Sequence, residues 1–296
     1  MAISRGFREK IDNLRKQYDF LKKGKKSLLD IIIFESELPE SVYNSNAIEN
    51  STLNISETEK ILLNLEISRN VSMREVFEAK NLAQVFEYIK NKISPENIDK
   101  ELILLLHKML IANIDENIAG KFRAKGEYVR VGTHIAPAPE QIKRMMEDVL
   151  LEYSGNHKDY FLEKISKFHL EFENIHPFCD GNGRIGRVLI NYQLIQLGFP
   201  PVIIRDKEKE AYYKSFEEYR NSKKKKTAEM DKILYLALLE SFHKRIAYLK
   251  GEDIVRLSEY AEEIKEKKSI LLNKAKRQSI PAFREKGVWK INKKLK

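Results

Sequence analysis

A chain of 296 residues holds one large domain or two to three smaller ones, and its 42% apolar content is enough to build real cores. The formal net charge of +10 favours anionic partners such as nucleotides, nucleic acid or acidic protein surfaces without choosing among them. A single cysteine, Cys179, excludes an intramolecular disulfide, and the longest apolar run, residues 233–239, is far too short to span a bilayer.

The N-terminal segment MAISRGFREKIDNLRKQ is polar and mixed in charge, unlike a signal peptide, so a soluble cytoplasmic protein without membrane partners is expected. Residues 6–23 read as an amphipathic helix, and residues 57–67, 73–93 and 98–112 carry apolar positions at helical spacing. Residues 120–137 break that pattern with glycines and a VRV core, which predicts a short β-hairpin. Pro139 opens the next helix, to Tyr153. Over 159–174, Phe161, Ile165, Phe168 and Phe172 form one apolar face, and His169 on that helix reads as a packed or surface side chain, not a catalytic one. Residues 184–197 are the following helix, closed by Gly198 with Pro200 and Pro201 beyond. Residues 208–220 return to helix, and 221–231, with four consecutive lysines, read as a solvated loop. A boundary falls near Gly251. After it come 13 Lys and Arg against 7 Asp and Glu, so over half the excess charge sits in the last sixth of the chain.

The chemistry is concentrated in residues 176–187, HPFCDGNGRIGR. Gly181-Asn182-Gly183 lies where a helix begins, and free N–H groups at such a terminus attract anions. Arg184 and Arg187 stand about one turn apart, suited to successive phosphates. Asp180 is a hard oxygen ligand, and Mg²⁺ typically takes one or two carboxylates plus substrate phosphates. His176 is the group able to accept a proton near neutral pH, and Phe178 anchors the loop. No arrangement orients a Cys–His pair around Cys179, and the six histidines include no zinc spacing. Together the residues describe a nucleoside triphosphate site with a metal and a base.

The string resembles the signature of the Fic (filamentation induced by cAMP) family, H-x-F-x-(D/E)-G-N-G-R-x-x-R, with every fixed position filled. The supporting resemblance covers roughly residues 40–250. It implies an all-α fold, a Fic-type helical core with a short β-hairpin flap. The activity implied is transfer of AMP from ATP, with Mg²⁺, to a Ser, Thr or Tyr hydroxyl of a target protein. His176 is then the base and Asp180 the metal ligand, while Gly181, Asn182, Gly183, Arg184 and Arg187 hold phosphates. Tyr212 and Tyr213 would line the adenine pocket, and Val131, Gly132, Thr133 and His134 would form the flap that clamps the target. SNAIEN at 45–50 resembles the family's inhibitory motif, (S/T)-x-x-x-E-(G/N). It implies that Glu49 reaches Arg187 and restrains the enzyme, with Ser45 bonding near Asn182.

The tail is similar to winged helix-turn-helix or excisionase-like DNA-binding modules. Ile280 to Phe283 would lead into the wing and Trp289 would pack beneath it. Lys274, Lys276, Arg277, Arg284 and Lys286 would fall near a DNA-facing surface. The domains expected are 1–95, an N-terminal helical region with the inhibitory helix at about 40–50; 96–250, the catalytic core; and 251–296, a small winged-helix-like domain. Two alternatives stay open: an enzyme removing AMP from a modified protein, and a DNA-binding regulator whose Fic-like domain senses nucleotide. Docking of protein instead of DNA on the tail, and a homo-oligomer, also stay open.

Overall fold

The computed structural model describes residues 3–32, 36–92, 98–251 and 253–294. Helices dominate. In chain order they are α1 (Arg5–Leu21), α2 (Lys26–Ile32), α3 (Leu38–Ile48), α4 (Ile55–Leu62), α5 (Met73–Asn91) and α6 (Lys100–Ile111). The predicted hairpin follows as β1 (Arg130–Val131) and β2 (His134–Ile135), then α7 (Pro139–Gly155), α8 (Phe161–Ile175), α9 (Asn182–Gln196), α10 (Lys209–Asn221) and α11 (Ala228–Lys250). The chain ends with β3 (Ile254–Arg256), α12 (Leu257–Glu263), α13 (Lys268–Lys276), β4 (Ala282–Glu285) and β5 (Val288–Asn292).

Helix ends follow local chemistry. Asn54 and Glu57 form a reciprocal capping box at α4, with both bonds at 2.9 Å. That helix stops earlier than periodicity suggests because Asn64 takes φ +56. Gly198 closes α9 as expected: with φ +78 it lets its own N–H reach the Ile195 carbonyl and the Phe199 N–H reach Leu194.

α9 is central. Twelve of its fifteen residues are buried, so it has no solvent face. Ile185, Val188, Leu189 and Tyr192 pack into one apolar cluster with α5, α6 and α8. Ile190 and Leu194 pack into a second, with α1, α10 and α11. α11 begins inside the expected 221–231 loop and is the longest helix in the described residues. It is buried nearly all round, so it has no amphipathic stripe to betray it.

Residues 253–294 form an antiparallel sheet in the order β3-β5-β4 with α12 and α13 against it. Leu257, Ala261, Leu271, Ala275, Ala282 and Ile291 make their own small cluster. Two of the expected DNA-facing residues are turned elsewhere. Arg284 bridges Glu240 of α11 at 2.6 Å and Glu208 at 2.7 Å, and Lys286 pairs with Glu59 of α4 at 2.9 Å. Both serve as seams against the helical body. The Gly287 N–H adds a contact to buried Glu40 of α3 at 3.3 Å. Among the described residues no helix is long and apolar enough to cross a membrane.

Candidate active site

The motif is the corner between α8 and α9. His176 caps α8 in a left-handed conformation, φ +50, its N–H held by the Phe172 carbonyl at 2.9 Å. Positive φ is uncommon for a side chain with a Cβ, and such strain collects at functional sites. Gly181 caps α9 with φ +82. A Cβ there would meet Leu110 at 3.0 Å, so glycine is required twice over. Asn182 ties the corner together from inside. Its Oδ1 accepts from the Phe178 N–H and its Nδ2 donates to the Phe178 carbonyl, both at 2.8 Å.

Two residues without a sequence signal fix this corner. His107 of α6 stacks on Phe178 with ring centroids 3.7 Å apart. Its Nδ1 accepts from the Gly120 N–H, so Nε2 carries the proton and donates to the Asp180 carbonyl at 3.0 Å. Burial pushes its pKa down to about 4, which keeps that pattern neutral. Arg123 is buried, with no acid partner among the described residues. It donates to the carbonyls of His176, Glu127 and Pro137 at 2.8 to 3.0 Å, so it joins the end of α8 to the base of the hairpin.

His176 itself is pushed down to about 4, by burial first and by the Arg123 charge second. It is therefore an unprotonated base at neutral pH. Glu173, one turn earlier on α8, is raised to about 8 by burial and by the Glu49 charge, and is held protonated. The Cys179 thiol is raised to about 11 by burial and by Glu127, which leaves it inert as a nucleophile.

The two motif arginines part company. Arg184 pairs with Asp180 at 3.0 Å and with Glu78 of α5 at 3.1 Å. Burial raises the Asp180 carboxyl, but Arg184 and Arg74 outweigh it and the net direction is down. Arg187 turns toward α3. Its Nη2 donates to Glu49 Oε1 at 2.8 Å and to the Ser45 carbonyl at 2.7 Å, and its Nε donates to Ser45 Oγ at 2.9 Å. Ser45 thus holds Arg187, whereas the sequence reading paired it with Asn182. The Glu49 carboxylate lies so close over Gly183 that a Cβ there would collide with its Oε1. Glu49 therefore stands on the first turn of α9, where an anion would be drawn by free N–H groups.

The remaining expected residues are spread around this centre. Tyr212 of α10 is buried, with its hydroxyl 2.8 Å from His169 Nε2 and 3.5 Å from Arg187 Nη1. His169 is a packed side chain; of the packed and surface positions left open by the sequence, the structure gives the first. Tyr213 is 38% exposed and its hydroxyl donates to the Ile48 carbonyl at 3.0 Å. In the hairpin, Val131 pairs with His134 across Gly132 and Thr133. Val131, Gly132 and Thr133 are exposed, and His134 Nε2 lies 2.9 Å from the Asn174 carbonyl.

Among the described residues no three His, Cys, Asp or Glu side chains converge as a metal cage. Asp180 offers one half-open carboxylate beside an anion-attracting helix terminus. That donor set fits a hard cation that brings its own phosphate oxygens.

Residues 97–194 match the family described as Fic/DOC. The chain is 33% identical over 183 residues to the protein adenylyltransferase Fic of Nematostella vectensis and 32% identical over 180 residues to that of Aedes aegypti. Each match takes in 59% of this chain and 41% or 35% of the relative, so the chain spans about two fifths of the curated relatives' length. Among solved structures, a Fic domain containing signaling protein from Bacteroides thetaiotaomicron superposes with a TM-score of 0.70 at 25% identity, covering 82% of this chain and 97% of that one. Fic-1 from C. elegans shares the fold with a TM-score of 0.71 at 24% identity, covering 82% of this chain and 71% of the other.

Proposed function

We propose that this chain, which carries a Fic domain over residues 97–194, is a protein adenylyltransferase that holds itself in check. The observation that carries the reading is the corner at 176–187: a neutral, partly buried histidine beside a helix terminus and two arginines. His176 takes the proton from a Ser, Thr or Tyr hydroxyl of the target protein. The freed oxygen attacks the α-phosphorus of ATP, the bond to the β-phosphate bridge breaks, and pyrophosphate leaves. The N–H groups of Gly181, Asn182 and Gly183 bind phosphate oxygens, Arg184 and Arg187 flank them, and these fixed donors steady charge as it develops. Mg²⁺, when bound through Asp180 and phosphate oxygens, would supply charge neutralisation on the departing pyrophosphate.

Tyr213 offers an exposed ring edge for the adenine, while buried Tyr212 acts through Arg187 by orienting it. The exposed turn Val131-Gly132-Thr133, tethered by His134, is the part of the flap open to a target backbone. Glu49 competes with the triphosphate by occupying both Arg187 and the α9 terminus. The helices α12 and α13 with the β4–β5 hairpin are read as a winged helix-turn-helix. Lys267, Lys268, Lys276 and Arg277 remain exposed there for a nucleic-acid backbone. Incubation of the Glu49→Gly protein with α-³²P-ATP, Mg²⁺ and lysate tests the transferase reading. A labelled protein band is expected, and an ATP-binding, folded protein that labels nothing, itself included, would overturn it.

A further inference from the structure

Asp180, the metal ligand of the transferase reading, spends its two oxygens differently. Oδ1 accepts from the Gly181 N–H at 2.6 Å and from Arg184 Nη2 at 3.0 Å. Oδ2 accepts from Nη2 of Arg74. Arg74 stands in the first turn of α5, outside the 97–194 stretch that matches the family, and nothing in the HPFCDGNGRIGR string announces it.

Arg74 also reaches Glu78 through Nε at 3.1 Å, and Arg184 reaches the same Glu78 oxygen through Nη1 at 3.1 Å. Arg74, Asp180, Arg184 and Glu78 therefore close a ring in which two guanidiniums offset two carboxylates. The two arginines are not equally fixed. The Arg184 side chain is 4% exposed and is locked between both acids. The Arg74 side chain is 56% exposed, and an ion pair open to water is easily exchanged. A hard divalent cation needs a carboxylate oxygen of the kind Oδ2 offers, so Arg74 and the cation compete for one atom. With Arg74 gone and no cation in its place, the ring would keep two carboxylates against one guanidinium. That excess negative charge would stand beside the α9 terminus and oppose an incoming triphosphate.

We propose that Arg74 is a positioning residue that holds the cation's place on Asp180. It offsets the carboxylate while nucleotide enters, and it gives up Oδ2 when the divalent cation arrives. The role given to Asp180 rests on the transferase reading, but the measurements that test Arg74 need no transfer.

The test uses the full chain with Glu49→Gly as the parent, so that Glu49 does not compete. The probe is α,β-methylene-ATP, whose bridge blocks transfer of AMP. Its affinity is measured by calorimetry in EDTA and again in saturating Mn²⁺, and bound Mn²⁺ is followed by electron paramagnetic resonance. In EDTA, adding Arg74→Gln is expected to weaken nucleotide binding roughly tenfold, the scale of one unpaired charge near a protein surface. In saturating Mn²⁺ the two proteins should bind the nucleotide equally. By linkage, the Mn²⁺ midpoint at saturating nucleotide should then fall by about the same tenfold, because the cation no longer displaces a guanidinium. Arg74→Lys keeps the charge and should stay close to the parent in EDTA. A loss of equal size in EDTA and in Mn²⁺ would make Arg74 a phosphate ligand and overturn the assignment. No change in either condition would make it a solvated surface pair and overturn it as well. A folded parent that binds no nucleotide in either condition would sink the transferase reading together with this one.

Discussion

Replacing Glu49 by glycine is the perturbation that tests self-restraint most directly. The bond to remove is the one from Arg187 Nη2 to Glu49 Oε1, 2.8 Å, between a 5% exposed guanidinium and a 36% exposed carboxylate. A hydrogen bond to a charged group contributes about 1.5–3 kcal/mol net. A triphosphate that must displace Glu49 loses that amount, and at 1.4 kcal/mol per decade the penalty is roughly 10- to 100-fold. Arg187 keeps its two bonds to Ser45 in the variant, so the guanidinium stays in place and only its third partner is exchanged. The helix should not suffer, because Glu49 is already the C-cap of α3 and Asn50 follows at φ +67. Incorporation of label from α-³²P-ATP is therefore expected to rise roughly 10- to 100-fold over wild type, self-modification included. Glu49→Gln, which keeps a hydrogen bond but loses the charge, should fall between the two. Equal incorporation by all three proteins, each folded and binding ATP equally, would refute the reasoning.

Five further outcomes are expected. His176→Ala should lower transfer by about 10²- to 10⁴-fold and leave ATP binding intact, checked by single-turnover labelling beside an ATP titration. Because His176 is pushed down to about 4, the acid limb of the rate should appear near pH 4, not 6.5; a limb at 6.5 would show a solvated imidazole. Stability should fall with acid, since His107, His176 and His243 are held at about 4 and His169 at about 3, all below 6.5. The unfolded chain then binds more protons, so thermal unfolding should shift down as pH drops from 6.5 towards 4. Glu173, raised to about 8, acts with the opposite sign and erodes stability between its ordinary 4.5 and 8, which places the maximum near neutrality. Gly186→Ala should cost about 1–3 kcal/mol in denaturant unfolding, because its Cβ would lie 2.5 Å from Glu173 and 2.8 Å from His169. Arg284→Ala should cost about 1.5–3 kcal/mol, the value of a hydrogen bond to a charged group, because Glu240 keeps Arg205 as a partner at 2.8 Å.

What the sequence made legible, and what it hid, divides by whether a signal is contiguous. The corner at 176–187 is a turn plus one helical turn, so its residues are neighbours in sequence and in space, and each type betrays its use. The hairpin was visible because VRV and GT sit next to each other. SNAIEN was legible as a motif, yet its partner was half misjudged. Ser45 and Glu49 at i and i+4 share one face of α3, and a side chain as long as Arg187 takes both at once. Arg123 and His107 left no trace. They act on backbone carbonyls and amides, and a carbonyl has no sequence identity to pair with. α11 hid for the opposite reason: it is buried on nearly every side, with Glu240, His243, Lys244 and Arg245 among its buried residues, so its sequence shows no apolar stripe. The tail shows where composition misleads. Arg284 and Lys286 counted toward a basic surface, but their charges are spent on Glu240, Glu208 and Glu59 of the helical body. Those pairs tie the β4–β5 hairpin to α11 and α4, and the Gly287 contact to Glu40 ties its turn to the start of the helix that carries Glu49. Removing residues from Gly251 onward therefore strips counter-charges from α4 and α11, and a backbone contact from α3, as well as deleting a sheet. A truncated protein should lose stability and hold Glu49 less firmly against Arg187, even though no residue after 251 lies in the motif.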